Sequence, residues 1–297
     1  MFVVLDAVQA VYLGGVLQRI DGFLLSGLVF GLSSAACILW TIYKSNGQFQ
    51  KVLKNGKTLI GLNVTAAGGW LFYLFAVQLI EPAVAFMIFA GSIPLITIAA
   101  AWAGISEAQA PRNTLEWVGN SILAGGLVTI SIVTIAGLSG FVRSGTADAV
   151  TGILLAFAAG IFITVMLLYG QRLDQQGVNP VTQFGFRFPL FLALSWSAVG
   201  LQLGYKGPVP FSDLAGAVAI GLLVLAFPIY AVQKAISLTS ALTIGALAAT
   251  SPSIVFVSQV VEGRVDASLY TLTGLMVCFV GALVAAGGAS LVGQPKP

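Results

Sequence analysis

The sequence predicts an all-α membrane protein: ten transmembrane helices as two inverted five-helix repeats, with both termini cytoplasmic. Three observations carry this. The 297 residues are 58% hydrophobic and only 8% charged, against about 25% charged in an ordinary soluble domain. With a mean hydropathy of +0.99, the chain cannot cover itself with a water-compatible surface, so the bilayer must be its solvent. Apolar stretches recur from end to end, each about 17–25 residues and so long enough to cross a hydrocarbon core as a helix; the short alternating strands of a barrel are absent. Finally, Ala76-Val77-Gln78 returns as Ala231-Val232-Gln233, 155 residues later.

The expected spans are 2–18, 23–43, 58–80, 82–104, 115–137, 149–171, 181–204, 213–234, 239–261 and 268–290. Residues 1–17 lack a basic leader and read as a first spanning helix, not a cleavable signal. Arg19-Ile20-Asp21-Gly22 separates the first two spans, and a lysine-rich loop, 44–57, separates the second from the third. Glu81-Pro82 forms the next turn. Proline is tolerated in a first helical turn and an acid suits a helix N-terminus, so Glu81 is expected at the outer surface. Gln109-Ala110-Pro111-Arg112, Arg143-Ser144-Gly145 and Gly207-Pro208 mark later breaks. With the N-terminus inside, eight basic residues fall in cytoplasmic loops and four outside, which fits the positive-inside rule.

More landmarks recur at nearly the same offset. Glu107 and Glu262, and Gly119 and Gly274, are 155 apart; Pro94 and Pro252 are 158 apart; Gln18-Arg19-Ile20-Asp21 resembles Gln171-Arg172-Leu173-Asp174 at 153. The chain therefore divides into repeats at 1–143 and 144–297. Five helices per repeat is odd, so the second copy enters the membrane from the opposite side, an architecture from which alternating-access transporters are built.

Pro94, Glu107 and Gly119 form the pattern P-x12-E-x11-G, with Pro252, Glu262 and Gly274 as its copy. This resembles the paired halves of the drug/metabolite transporter superfamily, in its ten-helix EamA-type branch. "FGFRFPL", residues 184–190, is similar to the arginine-bearing start of that family's second helix in each half. The first half has no such arginine in 23–31, the family's Trp-Gly is missing from 1–17, and the second Pro-to-Glu spacing is three residues shorter. The resemblance implies a central cavity between the halves and export of amino acids or other small metabolites.

Charge deep in lipid is costly unless it faces protein or water. Arg187 lies six residues into the expected seventh helix, roughly 9 Å deep. It reads either as a bidentate anchor for a substrate carboxylate or as an arginine that snorkels to the interface. Asp6 sits at similar depth in the first span and reads either as a partner for Arg187 or as a residue at the interface. Gln78 and Gln233 hold matching positions and need partners in the membrane. Trp70, Tyr73 and Tyr230 are expected to wall a pocket for an apolar group, or else to mark the bilayer interface. Ser92 and Ser251, each beside a proline, complete the expected substrate-binding set. Pro94, Pro228 and Pro252 are expected helix kinks.

The sequence has no histidine, its acids are scattered, and Cys37 and Cys278 show no metal spacing. It reads as neither an enzyme nor a metal or cofactor binder, and no loop carries a nucleotide motif. The expected partners are a small-molecule substrate and the lipid bilayer, with no nucleic acid; the chain is expected to act as a monomer in the plasma (inner) membrane. Because no acid reads as deep, facilitative transport or exchange is expected over proton coupling. Zwitterionic amino acids are the expected substrate. The alternatives are another metabolite class, such as a nucleotide-sugar, or a passive channel.

Overall fold

The computed structural model describes residues 16, 19–44, 47–139, 145–261, 263 and 268–291. The first expected span apart from Val16, with Asp6, and Glu262 lie outside them. The described residues are helical and contain no β-strand. Seven helices are long and apolar enough to cross a membrane, which makes this a multi-pass integral membrane protein. They are α1 (Gly22–Lys44), α3 (Gly56–Leu79), α4 (Pro82–Trp102), α5 (Thr114–Ile135), α6 (Thr146–Gln175), Ala241–Val261 and α13 (Leu269–Leu291). The loop expected at 44–57 holds a short helix, α2 (Gln48–Lys54).

Three expected spans of the second half are not single α-helices. The seventh is α7 (Pro180–Phe186) and α8 (Pro189–Gly200), broken at Arg187-Phe188. Pro189 has no N–H and its ring obstructs the carbonyl four residues back, so α7 cannot run on. The eighth is α9 (Phe211–Gly221), a π-helical turn at Leu222–Ala226, and α10 (Phe227–Ile236). Pro228 sits in the first turn of α10, and the wider turn absorbs the hydrogen bond it cannot make. Within Ala241–Val261, α11 (Ala241–Ala248) stops at Ala249-Thr250 and α12 (Ser251–Val261) resumes with Pro252.

Polar caps fix where helices begin. The Asn113 side chain accepts from the Glu116 N–H at 2.9 Å, while the Glu116 carboxylate accepts from the Arg112 N–H at 2.8 Å. One orphan donor of α5 and the N–H just ahead of its cap are thereby satisfied. Asn113 Nδ2 also donates to Gly288 O of α13 at 2.8 Å. Asn179 and Ser240 cap α7 and α11 in the same way.

Helices α5 and α13 pack antiparallel through small residues. Gly119 meets Ala285, Gly126 meets Cys278, Gly281 meets Leu123, and Gly274 meets Ile130. At Gly119 an added methyl would overlap the Ala285 backbone, so only glycine permits this approach. The pairs are reciprocal: moving each partner by 155 residues turns Gly119–Ala285 into Gly274–Ile130, and Gly126–Cys278 into Gly281–Leu123.

Candidate functional site

The broken end of α7 positions the buried cation. A helix that stops inside the molecule leaves backbone groups unpaired, and here Asn63 of α3 serves both sides of the break. Its Nδ2 donates to Phe186 O at 2.8 Å, and its Oδ1 accepts from the Leu190 N–H at 3.3 Å. Arg187 is held in the gap, only 2% exposed. It does not snorkel.

The guanidinium has a neutral partner. Its Nη1 donates to Gln233 Oε1 at 3.1 Å; Gln233 Nε2 donates to Gln183 Oε1 at 2.6 Å; Gln183 Nε2 donates to Val178 O at 2.8 Å. Because arginine only donates, each amide must turn its oxygen toward Arg187 and pass its donor onward. The chain of amides spreads positive charge without cancelling it. Arg187 Nε has no hydrogen-bond partner, and neither ion pair among the described residues involves Arg187. The guanidinium carbon lies 4.7 Å from the Phe188 ring centroid and 5.7 Å from that of Phe184. Both rings offer a favourable quadrupole.

Beside Arg187 is a cavity of about 80 Å³, walled by Trp70, Tyr73, Phe86 and Phe89 and, opposite, by aliphatic side chains of α6, α10 and α11. The rings form one contiguous wall. Tyr73 to Phe89 is 5.2 Å and Trp70 to Phe30 is 5.1 Å, and Phe30 stacks on Phe188 at 4.5 Å beneath the arginine. Trp70 Nε1 is buried without a partner. An apolar cavity that accepts benzene measures about 150 Å³, so this one is contracted, and solute entry requires its walls to separate.

The expected site residues are thus partly brought together. Arg187, Trp70 and Tyr73 line the cavity, and Gln233 holds Arg187 from behind. Tyr230 is half-buried and packs edge-on against Phe184, with ring centroids 6.0 Å apart. Gln78 is misplaced by the sequence reading. It is exposed, its Nε2 donates to Leu74 O of its own helix at 2.9 Å, and it lies away from the cavity. Ser92 is buried where α4 meets Gly160 of α6 and donates to Phe89 O; Ser251 is buried at the start of α12. Neither lines the cavity. Pro228 does, Pro94 lies inside α4 against Gly245, and Pro252 opens α12.

Glu81 corrects a second expectation. It is fully buried, its side chain caps nothing, and both carboxylate oxygens lack partners. Burial pushes its carboxyl up to about 7. It nonetheless stays at the ends of two spans, in the turn between α3 and α4. Among the described residues, no group of three His, Cys, Asp or Glu is placed to hold a metal.

A second, polar recess of about 730 Å³ opens among Glu107, Arg112, Gln171, Asp174, Ser240 and Thr243. Arg172 grips Glu107 across it bidentately, Nε to Oε1 at 2.6 Å and Nη2 to Oε2 at 3.1 Å. That bond holds the Glu107 carboxyl below its usual range. With its amide oriented to suit both neighbours, Gln171 donates to Glu107 O and accepts from the Ala241 N–H.

No family model matches the chain, and no curated protein matches it. Solved structures do. One, a protein known by its crystal structure, aligns over 99% of this chain and 98% of its own, with a TM-score of 0.70 and 18% identity. The fold is shared; at that identity nothing further carries over.

Proposed function

We propose that this is a secondary transporter of the EamA-type branch, exporting small metabolites, amino acids among them, across the plasma (inner) membrane. It works by alternating access, in facilitative or exchange mode, as a monomer and without enzymatic activity. One observation carries the reading: an arginine with no counter-charge among the described residues, buried at a helix break and lining a cavity between helices of both halves. A purely structural role gives poor reason to bury an unpaired charge, which costs several kcal/mol; a solute that supplies the anion does.

The inverted ten-helix arrangement, with repeats at 1–143 and 144–297, is supported by the reciprocal α5–α13 contacts, since antiparallel mates at a constant offset are what such a repeat produces. The interrupted helices beside the cavity also suit it. Nucleotide-sugars are disfavoured, because their two phosphates would need more than one deep cation. A passive channel is disfavoured by the contracted cavity. Purified protein in liposomes, screened for uptake of labelled amino acids, organic acids, sugars and nucleotides, tests the reading. Saturable uptake lost in Arg187→Gln is expected; equal flux in both proteins would refute it.

A further inference from the structure

The cavity's polar side chains differ from what a zwitterion requires. Of the residues that line it, only Arg187, Trp70 and Tyr73 carry polar side-chain atoms besides the thioether of Met166. Arginine and the indole N–H donate and cannot accept. Arg187 Nε and Trp70 Nε1 are both buried and both without a hydrogen-bond partner. Two unsatisfied donors, one of them cationic, thus border one small apolar space. Among the described residues, no carboxylate and no side-chain amide lines it.

An entering carboxylate meets all of this. It cancels the buried charge and accepts from both orphan donors, and charge-assisted bonds of this kind are the strong ones. An ammonium meets the opposite. It brings three donors to a wall whose only hydroxyl is that of Tyr73, and adds positive charge beside a guanidinium. The aromatic rings offer it cation–π attraction, but Arg187 already lies over Phe184 and Phe188.

Resting on the transport reading above, we propose that the preferred solute is a small organic monoanion, a carboxylate on an apolar or aromatic body without an ammonium group. Arg187 and Trp70 hold the carboxylate, and the Tyr73–Phe86–Phe89 wall takes the body. Zwitterionic amino acids are then secondary substrates, and organic amines are excluded.

Three probes share one apolar body and differ only in charge: 3-phenylpropionate, L-phenylalanine and phenethylamine. Binding is read on the purified full chain by ligand-induced thermal shift and titration, and flux in proteoliposomes. The anion is expected to bind about tenfold or more tightly than the zwitterion, and the amine to give no shift. Arg187→Gln should bring anion and zwitterion to similar weak binding, and Trp70→Phe should weaken the anion severalfold while sparing the fold. Should Arg187→Gln fail to fold, the wild-type ranking and Trp70→Phe still decide. L-phenylalanine binding as tightly as 3-phenylpropionate, a preference that survives Arg187→Gln, or no binding by any probe would overturn the proposal. Equal binding with flux of both leaves the transport reading standing; anion-selective binding without flux supports the site and removes transport.

Discussion

At Arg187 stability and function are expected to oppose one another. An unpaired buried cation is a cost to the fold, so Arg187→Met should leave the thermal midpoint unchanged or raise it while lowering transport by about tenfold or more. Joint loss of both would make the residue structural. Glu81 predicts a pH dependence of definite sign. Its carboxyl is raised from 4.5 to about 7, so between those values the unfolded chain has lost a proton that the fold retains. Stability therefore falls as pH rises through this window. The full cost, on the order of 3 kcal/mol, is reached above it. Glu81→Gln should flatten the thermal midpoint between pH 5 and 8. Glu107 has the opposite sign: its lowered carboxyl contributes stability at neutral pH, lost as pH falls through the carboxylate range. Arg187, Trp70 and Tyr73 were legible because charge and large aromatics are conspicuous in an apolar chain. Gln78 was misread because an echo in sequence does not tell which side of a helix faces in. Asn63 went unread since its role exists only where α3 passes the α7–α8 break.

The elements whose ends are set by local chemistry agree with the sequence reading to within a few residues. Pro82 begins α4, and Asn113 with Glu116 begins α5. The interrupted helices were hidden, because a hydropathy run of 181–204 looks the same whether the helix inside it is whole or cut. Pro228 and Pro252 signalled bends; whether a proline bends or breaks a helix depends on partners such as Asn63 that lie far along the chain. Packing of α5 on α13 is testable by single methyl groups. Gly119→Ala forces the two backbones apart and should cost about 1–3 kcal/mol. Gly274→Ala, whose added methyl would lie 3.2 Å from an Ile130 side-chain carbon, should cost less. Gly125 has open space around it, so Gly125→Ala should gain up to about 1 kcal/mol from helix propensity. Thermal unfolding in detergent ranks all three.

In the whole molecule, the contracted apolar cavity beside Arg187 is distinct from the polar recess, which the expected orientation places on the cytoplasmic side. Ser237 lines that recess and is half-buried. In a background with Cys37 and Cys278 replaced by serine, Ser237→Cys should react with a membrane-impermeant maleimide only from the cytoplasmic side. Reaction from outside would invert the topology. Alternating access at Arg187 is read out by counterflow. Liposomes loaded with unlabelled 3-phenylpropionate are diluted into a trace of the labelled compound. Label should accumulate transiently above equilibrium in wild type and should not do so in folded Arg187→Gln. Label that only equilibrates, at a rate independent of the internal load and equal in the two proteins, would contradict it.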